Sequence, residues 1–232
     1  MSSRLTRIVV TGGDGQLAQA LRPYFPYAEF PSKRELDVAN PQSCRAYFSH
    51  RSVDVVVHAG AETDPRAAPE SYLANNILGT THVARWCRTK RARLVYLSTD
   101  AVYHGPGPHR EDEPVGPASA YARSKLAGEL AAQLVDDHCV VRGSWYSGLA
   151  WTSAATDAYT SRIPVGKAAA LVAALAVSSA TGIVNVGGPR RSNYEVAVTE
   201  FNPRVQPVNR LQLPLPVPAD LSLDLTRMRG LT

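Results

Sequence analysis

The chain reads as an α/β protein built on a doubly wound parallel sheet, and three observations carry that reading. Short apolar, β-branched runs alternate with helical stretches along most of its length. A glycine-rich turn joins the first such run to the first helix. Further on, Tyr121 and Lys125 stand four residues apart on one helix, preceded by a strand-like run that ends near Thr99. Strand–helix alternation of this kind favours a parallel sheet covered on both faces.

The elements follow in order. Arg7-Ile8-Val9-Val10-Thr11 is short, apolar and β-branched, as a buried strand should be. Gly12-Gly13-Asp14-Gly15-Gln16-Leu17-Ala18 then leads into a helix over 16–24. Its spacing is GxxGxxA, with Ala18 where a third glycine often sits. An ordinary tight turn would use the same residues. At the first strand of an alternating chain, however, backbone N–H groups and a helix N-terminus form a cradle for a pyrophosphate. Ala28-Glu29-Phe30 is a short, weak second strand. Val53 to His58, Leu94 to Ser98, Cys139 to Arg142 and Ile183 to Val186 supply the third to sixth.

Helices are expected over 41–49, 69–89, 120–136 and 167–178, the first opened by an Asn40 cap with Pro41 at its first position. Prolines 203, 207, 214, 216 and 218 rule out a continuous helix near the end. That tail reads as an extended segment closing in a short helix over 223–229. In such a sheet, ligands bind beyond the carboxyl ends of the strands, expected here at a switch between the first and fourth.

At 232 residues, with 44% hydrophobic, the chain can bury one substantial core and a small appended lobe. The expected division is a Rossmann-like dinucleotide-binding domain over 1–145. A reduced substrate lobe, with elements returning to the core, follows over 146–232. No apolar run approaches a membrane span, and Met1-Ser2-Ser3-Arg4 shows no signal-peptide pattern. Cys44, Cys87 and Cys139 have neither disulfide nor metal-ligand spacing, so no metal is expected and a reducing cytoplasm suits them. Net charge is +5, which fits an anionic small molecule such as a dinucleotide or nucleotide sugar. The basic run from Arg85 to Arg93 reads as a solvated helix end. It lacks the aromatic platforms of a nucleic-acid binder.

On a helix, the Tyr121 phenol and the Lys125 ammonium share one face. A lysine cation nearby favours phenolate, which would let the tyrosine exchange a proton at neutral pH. A threonine hydroxyl beside it could hold a carbonyl or alcohol oxygen while hydride moves at the adjacent carbon.

Taken together these segments resemble the extended short-chain dehydrogenase/reductases, and within them the dTDP-4-dehydrorhamnose reductase family. Gly12 to Leu21 resembles that family's glycine turn, and Leu36-Asp37-Val38 its acidic turn after the second strand. His58-Ala59-Gly60-Ala61 is similar to the end of its third strand, and Asn76 to Thr80 to its NxxGT segment. Leu97 to Tyr103 resembles STDYVF, and Arg142-Gly143-Ser144-Trp145 resembles RTSW. Gly182 to Gly188 and Leu221 to Asp224 resemble its late strand and its closing signature.

The resemblance implies a reductase of a 4-keto nucleotide sugar. Thr99 would orient the substrate oxygen and Tyr121 would donate the proton. Lys125 would lower the tyrosine's pKa and hold the ribose hydroxyls. Trp145 would stack on the substrate sugar or serve as a core or rim aromatic, and Asp100 would touch the substrate or cap its loop. Asn76 would either position groups near the lysine or bond a neighbouring loop. The cofactor would lie against Gly12, Gly15, Gln16, Leu17, Asp37, Val38, Ala59, Gly60, Ala61, Thr63, Tyr121 and Lys125. Lys33 and Arg34 favour NADPH through a 2′-phosphate, whereas Glu29 would favour NADH. A homodimer through the helices flanking the tyrosine is also implied.

Three departures stand against the pattern. Glu62 to Arg66 replaces YTxVD, Ala18 replaces a glycine, and only about twenty residues separate Trp145 from Pro164. The substrate pocket is therefore expected to be smaller, more open or completed by another subunit. An epimerase or dehydratase of the same fold, and a non-catalytic dinucleotide-binding regulatory subunit, are the alternatives.

Overall fold

A computed structural model of the chain describes residues 6–148, 151–214 and 217–231. The N-terminal Met1 to Arg4, Leu149-Ala150 and Pro216 of the sequence reading lie outside the described residues. The elements up to Thr99 are β1 (Ile8–Thr11), α1 (Gln16–Leu21), α2 (Pro41–Phe48), β2 (Val55–His58), α3 (Pro69–Tyr72), α4 (Gly79–Lys90) and β3 (Arg93–Leu97). After them come α5 (Ala120–Ala132), β4 (His138–Gly143), β5 (Trp145–Tyr146), β6 (Ser153–Ala155), β7 (Tyr159–Thr160), β8 (Ile163–Pro164) and α6 (Val165–Val177). The last are β9 (Gly182–Val186), β10 (Arg191–Ser192), α7 (Asn193–Glu200), β11 (Gln206–Val208), β12 (Asp220–Leu221) and α8 (Thr226–Arg229).

The main sheet runs β1-β2-β3-β4-β9, every neighbouring pair parallel. Side chains alternate between its faces. Val10, Val57, Val95, Val141 and Val184 enter a core shared with α1 and α6. Val9, Val56, Leu94, Tyr96 and Val140 enter a second core beneath α2 and α4. Both faces are buried, which is why the strands read as continuous apolar runs rather than alternating ones. Full burial of a valine contributes about 1.5–3 kcal/mol, so these ten positions dominate the stability of the sheet.

The local signals explain the helix starts. The Asn40 side chain accepts from Gln42 N at 2.9 Å and Ser43 N at 3.3 Å, capping α2 where the sequence placed its start. Ser119 does the same for α5 through Ala122 N at 3.1 Å. The long helix expected over 69–89 is one helical stretch with a π-helical segment, Leu73–Leu78, between α3 and α4.

Several expectations are corrected. Ala28-Glu29-Phe30 forms no ladder: it makes a single parallel bridge, Val9 to Glu29. The switch lies between β1 and β2, because the bridge at Glu29 and the β2 ladder flank β1 on opposite sides. Leu94–Leu97, the fourth strand of the sequence reading, pairs with β2 and not with β1.

Arg93, read as part of a solvated basic run, is buried in β3. It binds the Asp137 carboxylate and the carbonyls of Leu175 and Ala180. The run is broken by Arg91 in the left-handed conformation (φ 53°), which ends α4 and turns the chain inward. The proline-rich tail is extended only in part, since it includes a 3-10 turn at Arg210–Gln212.

Beyond Trp145 the chain does two things. It returns α6 and β9 to the main sheet, and it builds a small layer from β10-β7-β12, the β6–β11 pair and α7. All three cysteines are buried, and burial raises their thiols to about 11 or 12. Among the described residues no helix is long and apolar enough to cross a membrane.

Candidate active site

The carboxyl ends of β1, β2 and β3 carry the candidate residues. Gly12 has φ +69°, and a Cβ there would stand 2.6 Å from Gly60 Cα, so only glycine lets the turn meet the end of β2. Gly13, which the sequence reading did not single out, is equally constrained. A Cβ there would stand 2.2 Å from the Phe30 carbonyl oxygen. Its N–H donates to Pro31 O at 2.9 Å, so the turn is fastened to the segment that leads to Lys33 and Arg34. At Gly15, the cap of α1, a Cβ would meet only Gly12 O, at 3.1 Å. Beyond that contact the space in front of Gln16 and Leu17 is open.

A polar row crosses the sheet just behind the turn. Thr11, His58 and Tyr96 are neighbours in register. Thr11 Oγ1 lies 2.7 Å from His58 Nδ1, and His58 Nε2 lies 3.1 Å from Thr80 Oγ1. Thr80 already donates to Asn76 O at 2.6 Å, so it accepts from Nε2–H, and the Thr11 hydroxyl donates to Nδ1. That network requires a neutral imidazole. Burial, and then the Lys125 charge, lower the His58 pKa to about 3, in agreement. Lys125 is buried with its Nζ 4.3 Å from the Tyr96 ring centre, and burial lowers it to about 7 against the opposing pull of Glu129.

Thr99 follows β3 and is buried. Its Oγ1 accepts from Ala101 N at 3.2 Å and donates to Asp100 Oδ1 at 3.3 Å. Tyr121, at the start of α5, is partly exposed, with Tyr72 of α3 across from it at 6.3 Å between ring centres. Burial and the Asp100 carboxylate push its phenol up to about 12, and a hydrogen bond with Thr99 acts the other way. The expectation that Lys125 depresses Tyr121 is therefore not met in this chain. The lysine is desolvated over Tyr96, and Asp100 supplies the charge that Tyr121 feels most. A phenol so placed is protonated at neutral pH, which suits an acid.

The remaining residues are placed as follows. Asn76 is fully buried and bonds the loop ahead of it: Glu62 N donates to its Oδ1 at 2.7 Å, and its Nδ2 donates to Glu62 O at 3.0 Å. Its Nδ2 also donates to Ser124 Oγ at 2.8 Å, next to Lys125, so it bonds both the loop and a group near the lysine. Ala59 and Ala61 flank Gly60 and are partly exposed, while Thr63 is exposed on the loop beyond. Asp37 Oδ1 accepts from Ala39 N at 3.1 Å, and Val38 packs beneath Gly79. Lys33 and Arg34 are exposed. Glu29 is committed elsewhere, accepting from Tyr47 OH at 2.7 Å and Arg51 Nε at 2.9 Å. Trp145 is partly buried against the core. The buried Glu129–Arg142 pair beneath β3 and β4, at 2.7 Å, was not read from the sequence.

Comparison with known proteins adds four matches. The family model described as the RmlD substrate binding domain matches residues 6–153. A dTDP-4-dehydrorhamnose reductase from Mycobacterium tuberculosis is 35% identical over 164 residues, 64% of this chain and 53% of that protein. The spore coat polysaccharide biosynthesis protein SpsK of Bacillus subtilis is 33% identical over 155 residues, 62% of this chain and 54% of that one. The chain thus spans about half the length of the curated relatives it matches. Among solved structures, the dTDP-4-dehydrorhamnose reductase of Bacillus anthracis, in complex with NADP, superposes with a TM-score of 0.84. Identity is 23%, over 98% of this chain and 93% of that one. At that identity the likeness shows a shared Rossmann-like fold.

Proposed function

We propose, because this chain belongs to the RmlD substrate binding domain family, that it is an NADPH-dependent reductase of a dTDP-4-keto sugar. In this reading it is an enzyme of the short-chain dehydrogenase/reductase type working in the cytoplasm. The observation that carries the proposal is the placement of Thr99 just beyond the carboxyl end of β3, two strands from the glycine turn, with Tyr121 and Lys125 in the first turns of α5.

The residues fit the cofactor. A side chain at Gly15 would fill the open space before α1, where a pyrophosphate comes against backbone N–H groups. Lys33 and Arg34 are exposed and suit a 2′-phosphate, while the Glu29 carboxylate is turned to Tyr47 and Arg51, both of which bond its Oε2. We assign Gly12, Gly15, Gln16, Leu17, Asp37, Val38, Ala59, Gly60, Ala61 and Thr63 to the same site. When bound, the dihydronicotinamide supplies hydride to the carbonyl carbon.

The protein's own work is on the oxygen. Tyr121 holds the carbonyl oxygen by a hydrogen bond, and Thr99 joins it by turning its one hydroxyl proton from Asp100 to that oxygen; both bonds stabilise the negative charge that develops there. Tyr121 then gives that oxygen its proton. Lys125 holds the ribose hydroxyls, and Asp100 and Trp145 border the sugar. A second copy pairs through the helices beside Tyr121, where Leu73, Leu78, Leu130 and Leu134 are exposed.

The test is NADPH oxidation with dTDP-4-dehydrorhamnose generated in situ. Turnover by the intact protein supports the reading. Tight NADPH binding with no turnover of any dTDP-4-keto sugar supports a regulatory subunit instead.

A further inference from the structure

We propose that Ser144 and Arg162 are positioning residues for Thr99, acting through Asp100. The inference rests on the reductase reading. It gives the shortened segment after Trp145 a part in the site without contact with the substrate.

The Asp100 carboxylate is buried and has two oxygens to satisfy. Oδ1 faces Thr99 Oγ1 at 3.3 Å. Oδ2 accepts the Ser144 hydroxyl at 2.6 Å. Ser144 stands between β4 and β5, so this bond ties the 3-10 turn after β3 (Asp100–Val102) to the next strand along.

A hydroxyl has one proton, and Ser144 gives it to Asp100, so its lone pairs are left for a donor. Arg162, between β7 and β8, places Nε 3.5 Å from Ser144 Oγ. That is a long contact for a hydrogen bond, but it sets a permanent cation beside the Ser144–Asp100 pair. The Arg162 guanidinium carbon also lies 5.9 Å from the Trp151 ring. The direction of the chain is therefore fixed: Arg162 to Ser144, Ser144 to Asp100, and Thr99 to the other Asp100 oxygen. A carboxylate tethered at one oxygen can turn about its side-chain bonds. Tethered at both, it holds the Thr99 hydroxyl in one orientation.

The experiment reads the Thr99 side-chain rotamer, from three-bond couplings of its methyl carbon to backbone N and C′ in the substrate-free protein. NADPH affinity and steady-state reduction are measured alongside. The intact protein should show one rotamer. Ser144→Ala should show averaging and about tenfold lower kcat, with NADPH affinity unchanged, and Ser144→Thr should restore both. Arg162→Met, further from the core, should also average the rotamer and carries the test if Ser144→Ala does not fold. A single unchanged Thr99 rotamer in Ser144→Ala, or in Arg162→Met where that variant carries the test, would overturn the proposal. So would averaging that Ser144→Thr fails to restore. Rotamer changes as expected in a protein that reduces no keto sugar would uphold the positioning and overturn the reductase reading alone.

Discussion

The Asn76 side-chain amide donates to the Ser124 hydroxyl at 2.8 Å, joining the π-helical segment to the helix that carries Tyr121. Ser124 passes its own proton to Tyr121 O at 2.7 Å. The same Asn76 side chain holds both backbone groups of Glu62. One buried residue thus fixes the loop after β2 and the first turn of α5 relative to each other.

Replacing Asn76 with alanine leaves Glu62 N–H, Glu62 C=O and the Ser124 hydroxyl short of a partner. Each buried polar group left unpaired costs about 1–3 kcal/mol. Water can reach the part-buried Glu62 groups, so most of the cost falls on the buried Ser124 contact, and a loss of about 1–3 kcal/mol in urea unfolding is expected, with lowered activity because Tyr121 shifts with its helix. A loss under about 1 kcal/mol would mean that water replaces the side chain.

Gly128 of α5 lies against Tyr96: a Cβ there would stand 2.2 Å from the Tyr96 hydroxyl oxygen and 3.0 Å from Asn76 O. Gly128→Ala should destabilise the fold by about 1–3 kcal/mol through overpacking. Adding Tyr96→Phe removes the nearer of these atoms and should recover part of that loss. A double variant no more stable than Gly128→Ala would place the strain at the ring carbon Cζ, 2.8 Å away, or at Asn76 O.

Lys125 gives a pH dependence with a definite sign. Burial lowers it in the folded chain from its ordinary 10.5 to about 7. Between those values the unfolded chain binds the extra proton, so stability rises with pH through that window. The penalty is largest below about pH 7. Lys125→Met should therefore be more stable than the intact chain at about pH 6, by a few kcal/mol, and the gain should fade towards pH 10. Thermal unfolding at several pH values reads it. A gain independent of pH would show that packing, not charge, is the cause.

The cofactor preference rests on Lys33 and Arg34. Replacing both with alanine should weaken NADPH binding at least tenfold and NADH binding little, since only NADPH carries the 2′-phosphate. Fluorescence titration with each dinucleotide distinguishes this from an equal loss of both, which would remove the pair from the phosphate site.

Much of this was legible in the chain because local patterns carry it. The β-branched runs became the parallel strands, Asn40-Pro41 opened α2, and the glycines of the first turn met β2. The weak run at Glu29 was overread: its carboxylate serves Tyr47 and Arg51, and a single bridge is all that its backbone makes. Helix α7 was missed although its signal was present. Ser192 and Glu195 form a capping box, with Glu195 N donating to Ser192 Oγ at 3.1 Å and Ser192 N to Glu195 Oε2 at 2.6 Å. What no local pattern carries is partnership across the fold. Arg93 reaches Ala180 and Ser144 reaches Asp100 only after the sheet has formed. The effect of Lys125 on Tyr121 was misjudged for the same reason, because helical spacing says nothing about a Tyr96 ring beneath the ammonium or an Asp100 beside the phenol.

The central claim is that Tyr121 donates the proton in a reduction. Its most direct test is the rate of NADPH oxidation with dTDP-4-dehydrorhamnose, for the intact protein and for Tyr121→Phe, with NADPH affinity measured on both. Turnover by the intact protein is expected, with a loss of at least a hundredfold in the variant and NADPH affinity unchanged. Equal rates from the two proteins would contradict it.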